Sequence, residues 1–188
     1  ARRPAVLVTA MMEAFGRVGK LPLLSNTASS APISDEREEQ TAEFNARHKA
    51  HIICQNVGDM ILVFASSVDT VHRLSRLLQI LNEQEGENEN LLFGGGVVEM
   101  NRLVKAEDRE RILQQAREGK ISVLVASDNM ARGIDLPNIK LVINYDPPKF
   151  ARSYVHRVGR TARANRAGHS LTLVMEGQWG AFEKMRSQ

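Results

Sequence analysis

The sequence predicts an α/β domain of three layers, a mostly parallel central sheet with helices packed on both faces. Three observations predict it. A short, wholly apolar run, "MILVFA" at Met60–Ala65, and the mostly apolar "ISVLVAS" at Ile121–Ser127 have the composition of strands buried on both faces. Between such runs lie segments of ten or more residues with apolar side chains at helical spacing. Strands alternating with helices of that length are joined by crossovers, the connection that parallel strands need.

The elements follow in chain order. Residues 1–34 form an N-terminal segment, partly loop or insertion: "AVLVTAMMEAF" reads as a strand turning into a helix or as one short helix, and "SNTASSAPISDE" as a loop. The domain occupies residues 35–188. It opens on a helix capped by Asp35, with acids crowding its first turn, and Gly58 is placed to end that helical stretch. After "MILVFA" comes "SSVDTVHRLSRLLQIL", with Ser67 as N-cap and Val68, Val71, Leu74, Leu78 and Leu81 on the inward face. "NEQEGENEN" is an acidic loop and "GGGVVEM" leads into a strand. "AEDRERILQQAREG" is a helix stopped by Gly119. "KLVINYD", Lys140–Asp146, is a further buried strand. "FARSYVHRVGRTARA" is helical in propensity, "NRAG" is a turn, "HSLTLVM" a last strand, and "QWGAFEKMR" a closing helix.

Composition narrows the classes of function. The chain has 188 residues, 43% hydrophobic and 25% charged, ordinary values for a globular domain. It has one cysteine, Cys54, so no internal disulfide forms; it sits in an apolar helical run as a small core residue. No apolar run approaches the roughly 18 residues that cross a bilayer. The start, "ARRPAVLVTAMMEAFGRVGK", contains a single acid, Glu13, and faintly resembles an organelle presequence. Net charge is only +3, but its distribution is uneven. From Lys149 to Arg166 there are six Lys or Arg and no Asp or Glu. A local patch of this kind favours phosphates.

Two stretches carry the chemistry. "ASDNMARGIDLP" begins at the carboxyl end of a buried strand, where α/β sheets bind ligands. Ser127 offers a hydroxyl to phosphate, Arg132 a guanidinium, Gly133 close backbone approach and Asp135 an acceptor for a sugar hydroxyl. The plainer reading is a polar loop in which Asp135 caps a neighbour. "YVHRVGRTAR" places Arg160 and Arg163 three apart, neighbours on a helix whose guanidinium forks match a phosphate. Gly159 between them points to close backbone approach or a local break. The plainer reading here is a solvated basic face, although no acid lies nearby in sequence to pair with it.

"VFASS", "RGID", "VINYDPP" and "YVHRVGRTAR", in this order and at these separations, resemble the second RecA-like domain of DEAD-box RNA helicases. The resemblance covers about Ile52 to Phe182. "YVHRVGRTARA" is also similar to the nucleolar members that help build the large ribosomal subunit. The family implies a three-layer RecA-like domain and roles for matched positions. Arg160 and Arg163 would be arginine fingers reaching the γ-phosphate of ATP. His156 and Arg157 would meet the partner lobe near its acidic motif, and Gly133 and Asp135 would touch the nucleotide's ribose side. Ser67, Ser127 and Arg132 would serve the RNA backbone, and Arg109 would be the arginine of a Gln-x-x-Arg element. Ala106 stands where that element has Gln, and "GGGVVEMNRLVK" has no clean His-Gly pair; Asn101 and Arg102 are candidates to rebuild that site. Ser67 can equally be a helix cap alone.

The chain has no G-x-x-x-x-G-K-[ST] loop and no Asp-Glu-Ala-Asp motif. "GRVGKL" near Gly16 lacks the spacing and the hydroxyl. The resemblance therefore implies one half of a split ATPase, with ATP and Mg2+ held mainly by a first RecA-like lobe. RNA, in particular ribosomal precursor RNA, and ribosome-assembly proteins are the implied partners, and the nucleus or nucleolus the implied place. The lobe alone is expected to be catalytically silent. Two rivals remain: a non-catalytic RNA- or protein-binding scaffold module in a ribonucleoprotein, and the matching lobe of a superfamily 2 DNA helicase.

Overall fold

The computed structural model describes residues 3, 4, 6, 7, 58–83, 93–131, 136, 138–162 and 167–187. The helix expected from Asp35, and Cys54, lie outside the described residues. Five strands form one sheet: β1 (Met60–Ala65), β2 (Gly96–Met100), β3 (Ile121–Ser127), β4 (Ile139–Asn144) and β5 (His169–Thr172). Their order is β2-β3-β1-β4-β5, and every pairing is parallel. The helices are α1 (Val68–Glu83), α2 (Ala106–Arg117), α3 (Asp128–Ala131), α4 (Ala151–Val158) and α5 (Trp179–Arg186).

The period-2 alternation of β1 divides the core into two. Ile61, Val63 and Ala65 face one layer, with Val123 and Val125 of β3 and with Val71, Leu74 and Leu78 of α1. Met60, Leu62 and Phe64 face the other, with Leu124 and Ala126, and there Ala116, Ile112 and Leu113 of α2 cover them. All six residues of β1 and all seven of β3 are buried. This two-sided burial is why those runs contain no alternation of polar residues. The three-layer expectation is met.

Local signals act as the sequence suggests. The Ser67 hydroxyl accepts a hydrogen bond from the Thr70 backbone N–H at 3.0 Å, so Ser67 caps α1. Gly119 follows α2 with φ of 74°, a left-handed conformation that ends the helix, and its Cα lies against Gly58. α1 runs further than expected, into the start of the acidic segment. Asn82, 5% exposed, holds the return of the chain: its Nδ2 donates to Gly95 O at 3.0 Å and its Oδ1 accepts from Phe93 N at 2.9 Å.

Part of the N-terminal segment packs on the domain. Leu7 is fully buried in the α1-side core. Arg3 donates to Asp146 Oδ1 at 2.7 Å and to Gln178 Oε1, and lies over the Tyr145 ring at 5.8 Å.

The main difference from expectation concerns "FARSYVHRVGRTARA". It is not one helix. α4 ends at Val158 and Gly159 is its C-cap. The chain then turns, and Ala162 has φ of 54°. A Cβ on Gly159 would meet Val155 O at 3.0 Å, so glycine here serves the break. The helical-neighbour argument for Arg160 and Arg163 therefore does not hold.

Candidate nucleotide and nucleic-acid interface

β1 is where the chain changes direction across the sheet: β3 and β2 lie on one side of it and β4 and β5 on the other. Ligands of open α/β sheets bind at the carboxyl ends of strands around such a point. The register brings three loops together there. Ala65 pairs with Ser127, and Phe64 with Asn144. Ser66–Ser67, Ser127–Asp128 and Tyr145–Asp146 leave the sheet side by side.

These loops are tied by two charged groups. The Asp146 carboxylate accepts from the Ser66 backbone N–H and the Ser66 hydroxyl, both at 2.9 Å on Oδ2, and from Arg3 on Oδ1. Arg157 reaches in from α4 and is 3% exposed. Its Nε and Nη2 grip both oxygens of Asp128, at 2.5 and 2.7 Å. Its Nη1 donates to Asp146 O at 2.7 Å and to Asn144 Oδ1 at 3.2 Å. Its guanidinium lies over the Phe64 ring, 5.1 Å from the centroid. A planar cation with donors in a fixed fork can satisfy all of these at once; an ammonium cannot.

This corrects the expectation for Arg157. The family resemblance implies a place for it against the partner lobe. Its anion is Asp128, 29 positions away in the chain and brought beside it by the sheet. Asp128, Asn144 and Asp146 were missed. The available signal was Asn144, an amide ending the apolar run "LVI" of β4; it is fully buried and so demands a polar partner.

The other expected site residues fall as follows. His156 is exposed on α4. Arg160 lies in the turn after Gly159; its Nε donates to His156 O at 3.1 Å and its backbone N–H to Arg157 O at 3.1 Å. The turn is also pinned below, where buried Thr161 donates to Ile139 O at 2.7 Å. Ser67 is exposed and Ser127 buried at the end of β3. Arg109, in the first turn of α2, folds back so that Nη2 donates to Val104 O at 3.2 Å. It braces the loop after β2, where Asn101 Oδ1 accepts from Leu103 N at 2.9 Å. Arg132, Gly133, Asp135 and Arg163 lie outside the described residues. The structure thus brings the ends of β1 and β3, with Ser67 and Ser127, beside Arg157 of α4, with His156 on the same helix and Arg160 in the turn after it, and sets Arg109 near the β2 edge.

Among the described residues no three His, Cys, Asp or Glu side chains gather to hold a metal ion. Among them, no helix is long and apolar enough to cross a membrane.

Residues 45–165 match the family profile of the helicase conserved C-terminal domain. The chain belongs to this family and is the C-terminal RecA-like domain of the DEAD-box type. It is 42% identical over 128 residues to DEAD-box ATP-dependent RNA helicase 1 of Oryza sativa subsp. japonica, covering 68% of this chain and 23% of that protein. It is 40% identical over 138 residues to ATP-dependent RNA helicase dbp6 of Schizosaccharomyces pombe, 73% of this chain and 22% of the relative. It is 36% identical over 129 residues to the ATP-dependent rRNA helicase RRP3 of Yarrowia lipolytica, 69% and 24%. The fold is similar to the E. coli DEAD-box protein SrmB in its complex with the regulator of ribonuclease activity A. There the TM-score is 0.56 and the identity 30%, over 80% of this chain and 79% of that one. The chain spans about a fifth to a quarter of the length of these curated relatives.

Proposed function

We propose that this domain is the second lobe of an ATP-dependent RNA helicase and supplies arginine fingers to a nucleotide held by a first lobe. The observation that carries this reading is the placement of Arg160, half-buried, on a turn fixed from within by Arg157 and Thr161, beside exposed His156 at the end of α4. A guanidinium on a pinned turn is pre-positioned for charge that develops in a transition state. Phosphoryl transfer needs such a group in addition to the phosphate loop and metal that hold the nucleotide, and a finger is worth on the order of 10³ to 10⁵ in rate.

In this reading ATP and its Mg2+ are held by the first lobe, and lobe closure brings Arg160 and Arg163 to the γ-phosphate. Gly133 and Asp135 would meet the ribose side. His156, rather than Arg157, would face the partner lobe. Ser67, Ser127, Arg132 and Arg109 would line the RNA path. Contacts of this kind go to phosphate and sugar, so the lobe would bind with little sequence preference and steep salt dependence. Precursor ribosomal RNA as substrate, and a nucleolar place of work, are supported by the similarity to a relative named an rRNA helicase and by "YVHRVGRTARA".

The test uses the complete protein that carries this chain. Arg160→Ala should abolish RNA-stimulated ATP hydrolysis while ATP binding survives. Hydrolysis at the normal rate would remove the finger assignment. The isolated domain should not turn over ATP, and robust turnover by it would sink the split-site reading. Stimulation by RNA but not by DNA of equal length separates the RNA helicase from a DNA-directed relative.

A further inference from the structure

We infer that the aromatic strip joining α4 to α5 is a docking surface for an amphipathic helix of a partner protein, acidic at the end that lies on α4. Four rings make the strip. Phe150 is the N-cap of α4, and Tyr154 follows one turn on, its backbone N–H donating to Phe150 O at 3.1 Å. Tyr154 meets Phe182 of α5 edge-on, with 6.3 Å between centroids, and Phe182 meets Trp179 at 6.4 Å. The middle of the strip is closed and its ends are open: Phe182 is 8% exposed, Trp179 52% and Phe150 70%. Phe182 is the ring that seals α5 onto the domain, while Phe150 and Trp179 leave most of their apolar surface in water and add little to folding. Single exposed apolar residues are ordinary, but rings connected in one strip form the kind of patch that a partner covers. Aromatic anchors beside an arginine are also the composition of protein interface centres.

Charge selects the occupant. Lys149 and Arg152 stand on either side of Phe150 in the chain, both are exposed, and among the described residues neither takes part in a salt bridge. No Asp or Glu lies between Pro147 and Ala162, so this end of the strip is positive. The α5 end is mixed in sign. Glu176 and Glu183 come three before and four after Trp179, with Lys184 and Arg186 beyond them, and all four are exposed. A nucleic acid, negative along its whole length, would meet repulsion at Trp179 from Glu183 one turn away. A protein helix can place carboxylates over Lys149 and Arg152 alone and lay large apolar side chains, three or four apart, on the rings between the two ends. Tyr154 and His156 are two residues apart, about 200° round α4, so the strip faces away from His156.

The experiment selects, on the complete protein that carries this chain, from a phage-displayed library of random peptides of about 16 residues, roughly four turns of helix. Peptides enriched on the wild type should carry large apolar residues three or four apart and Asp or Glu toward one end. Their affinity should fall by about tenfold or more in Phe150→Ala and in Trp179→Ala, the loss expected of an anchor ring. Arg152→Glu should weaken them as well, and should bind peptides in which the acidic end is replaced by lysines. The melting temperature of Phe150→Ala should stay within about 4 °C of wild type, as for other exposed positions. No enrichment over the double variant Phe150→Ala, Trp179→Ala would overturn the inference, as would peptides whose affinity the single variants do not alter. Self-association that Trp179→Ala abolishes overturns it in favour of a second copy of the chain. Ultraviolet crosslinking of an oligouridine to Trp179 overturns it in favour of a nucleic acid. If Trp179→Ala does not fold, Phe150→Ala and Arg152→Glu, both at exposed positions, carry the same test, and unaltered peptide affinity in both overturns the inference.

Discussion

Arg157 and Asp128 form a two-point ion pair in which the partners are unequally buried: Arg157 is 3% exposed and Asp128 39%. Removing either member leaves the other unpaired, and the cost depends on which charge remains inside. Asp128→Ala leaves a cation with little access to water and should cost about 4 kcal/mol. Arg157→Met leaves a carboxylate that water reaches, together with unpaired Asn144 Oδ1 and Asp146 O, and should cost less, about 3 kcal/mol. Denaturant unfolding of the two variants gives the order directly, and the reverse order would show that the pair is not organised by burial.

Ser67 serves α1 as cap and, in the proposed function, RNA as a ligand. Ser67→Ala should lose about 1 kcal/mol of stability. Ser67→Asp keeps an acceptor for the Thr70 N–H and places a negative charge at the helix N-terminus, so stability should stay near wild type. RNA binding should nevertheless weaken. If Ser67→Asp binds RNA as tightly as wild type, Ser67 is a cap only.

The turn that bears Arg160 contains a strained residue. Ala162 has φ of 54°, a conformation disfavoured by roughly 1–2 kcal/mol for a residue with a Cβ. Ala162→Gly removes that conflict and should stabilise the fold, with the gain reduced to less than about 1 kcal/mol by the greater freedom of the unfolded chain. Thr161→Val should act in the opposite direction, at about 1–3 kcal/mol, because it strands the buried Ile139 carbonyl. Thermal unfolding of both variants checks the two signs.

Alkaline stability should depend on Tyr145. Burial, and then the adjacent Asp146 carboxylate, push its phenol above the ordinary 10.0. Because the folded state holds this proton more tightly, the contribution is fully present below the unfolded pKa and is lost as pH rises from there through the folded value. Stability should therefore fall on the alkaline side of about pH 10. Tyr145→Phe should remove that part of the decline and leave the neutral range unaltered, as a pH series of denaturation midpoints would show.

Much of this was legible in the chain. β1 ends where its apolar run ends, and β3 is apolar apart from two small serines, since a strand buried on both faces favours apolar residues. Ser67 and Gly119 marked their helix ends because capping is a local event of a few residues. The helix over "HRVGRTAR" was over-extended, because propensity alone does not register the packing of Thr161 onto Ile139 that bends the chain. Residues 93–95 return beside Asn82 for a similar reason: two hydrogen bonds from a buried amide hold them there.

The sequence by itself determined the layers, the strand and helix order, and the basic stretch, because these depend on local periodicity and composition. Only the tertiary structure decided which of those cations face outward. Parallel pairing of β1 with β3 and β4 sets Asp128, Asn144 and Asp146 around one point, and burial there makes an unpaired charge costly. Arg157 is drawn inside to meet them, and the turn it anchors carries Arg160, which is half-buried.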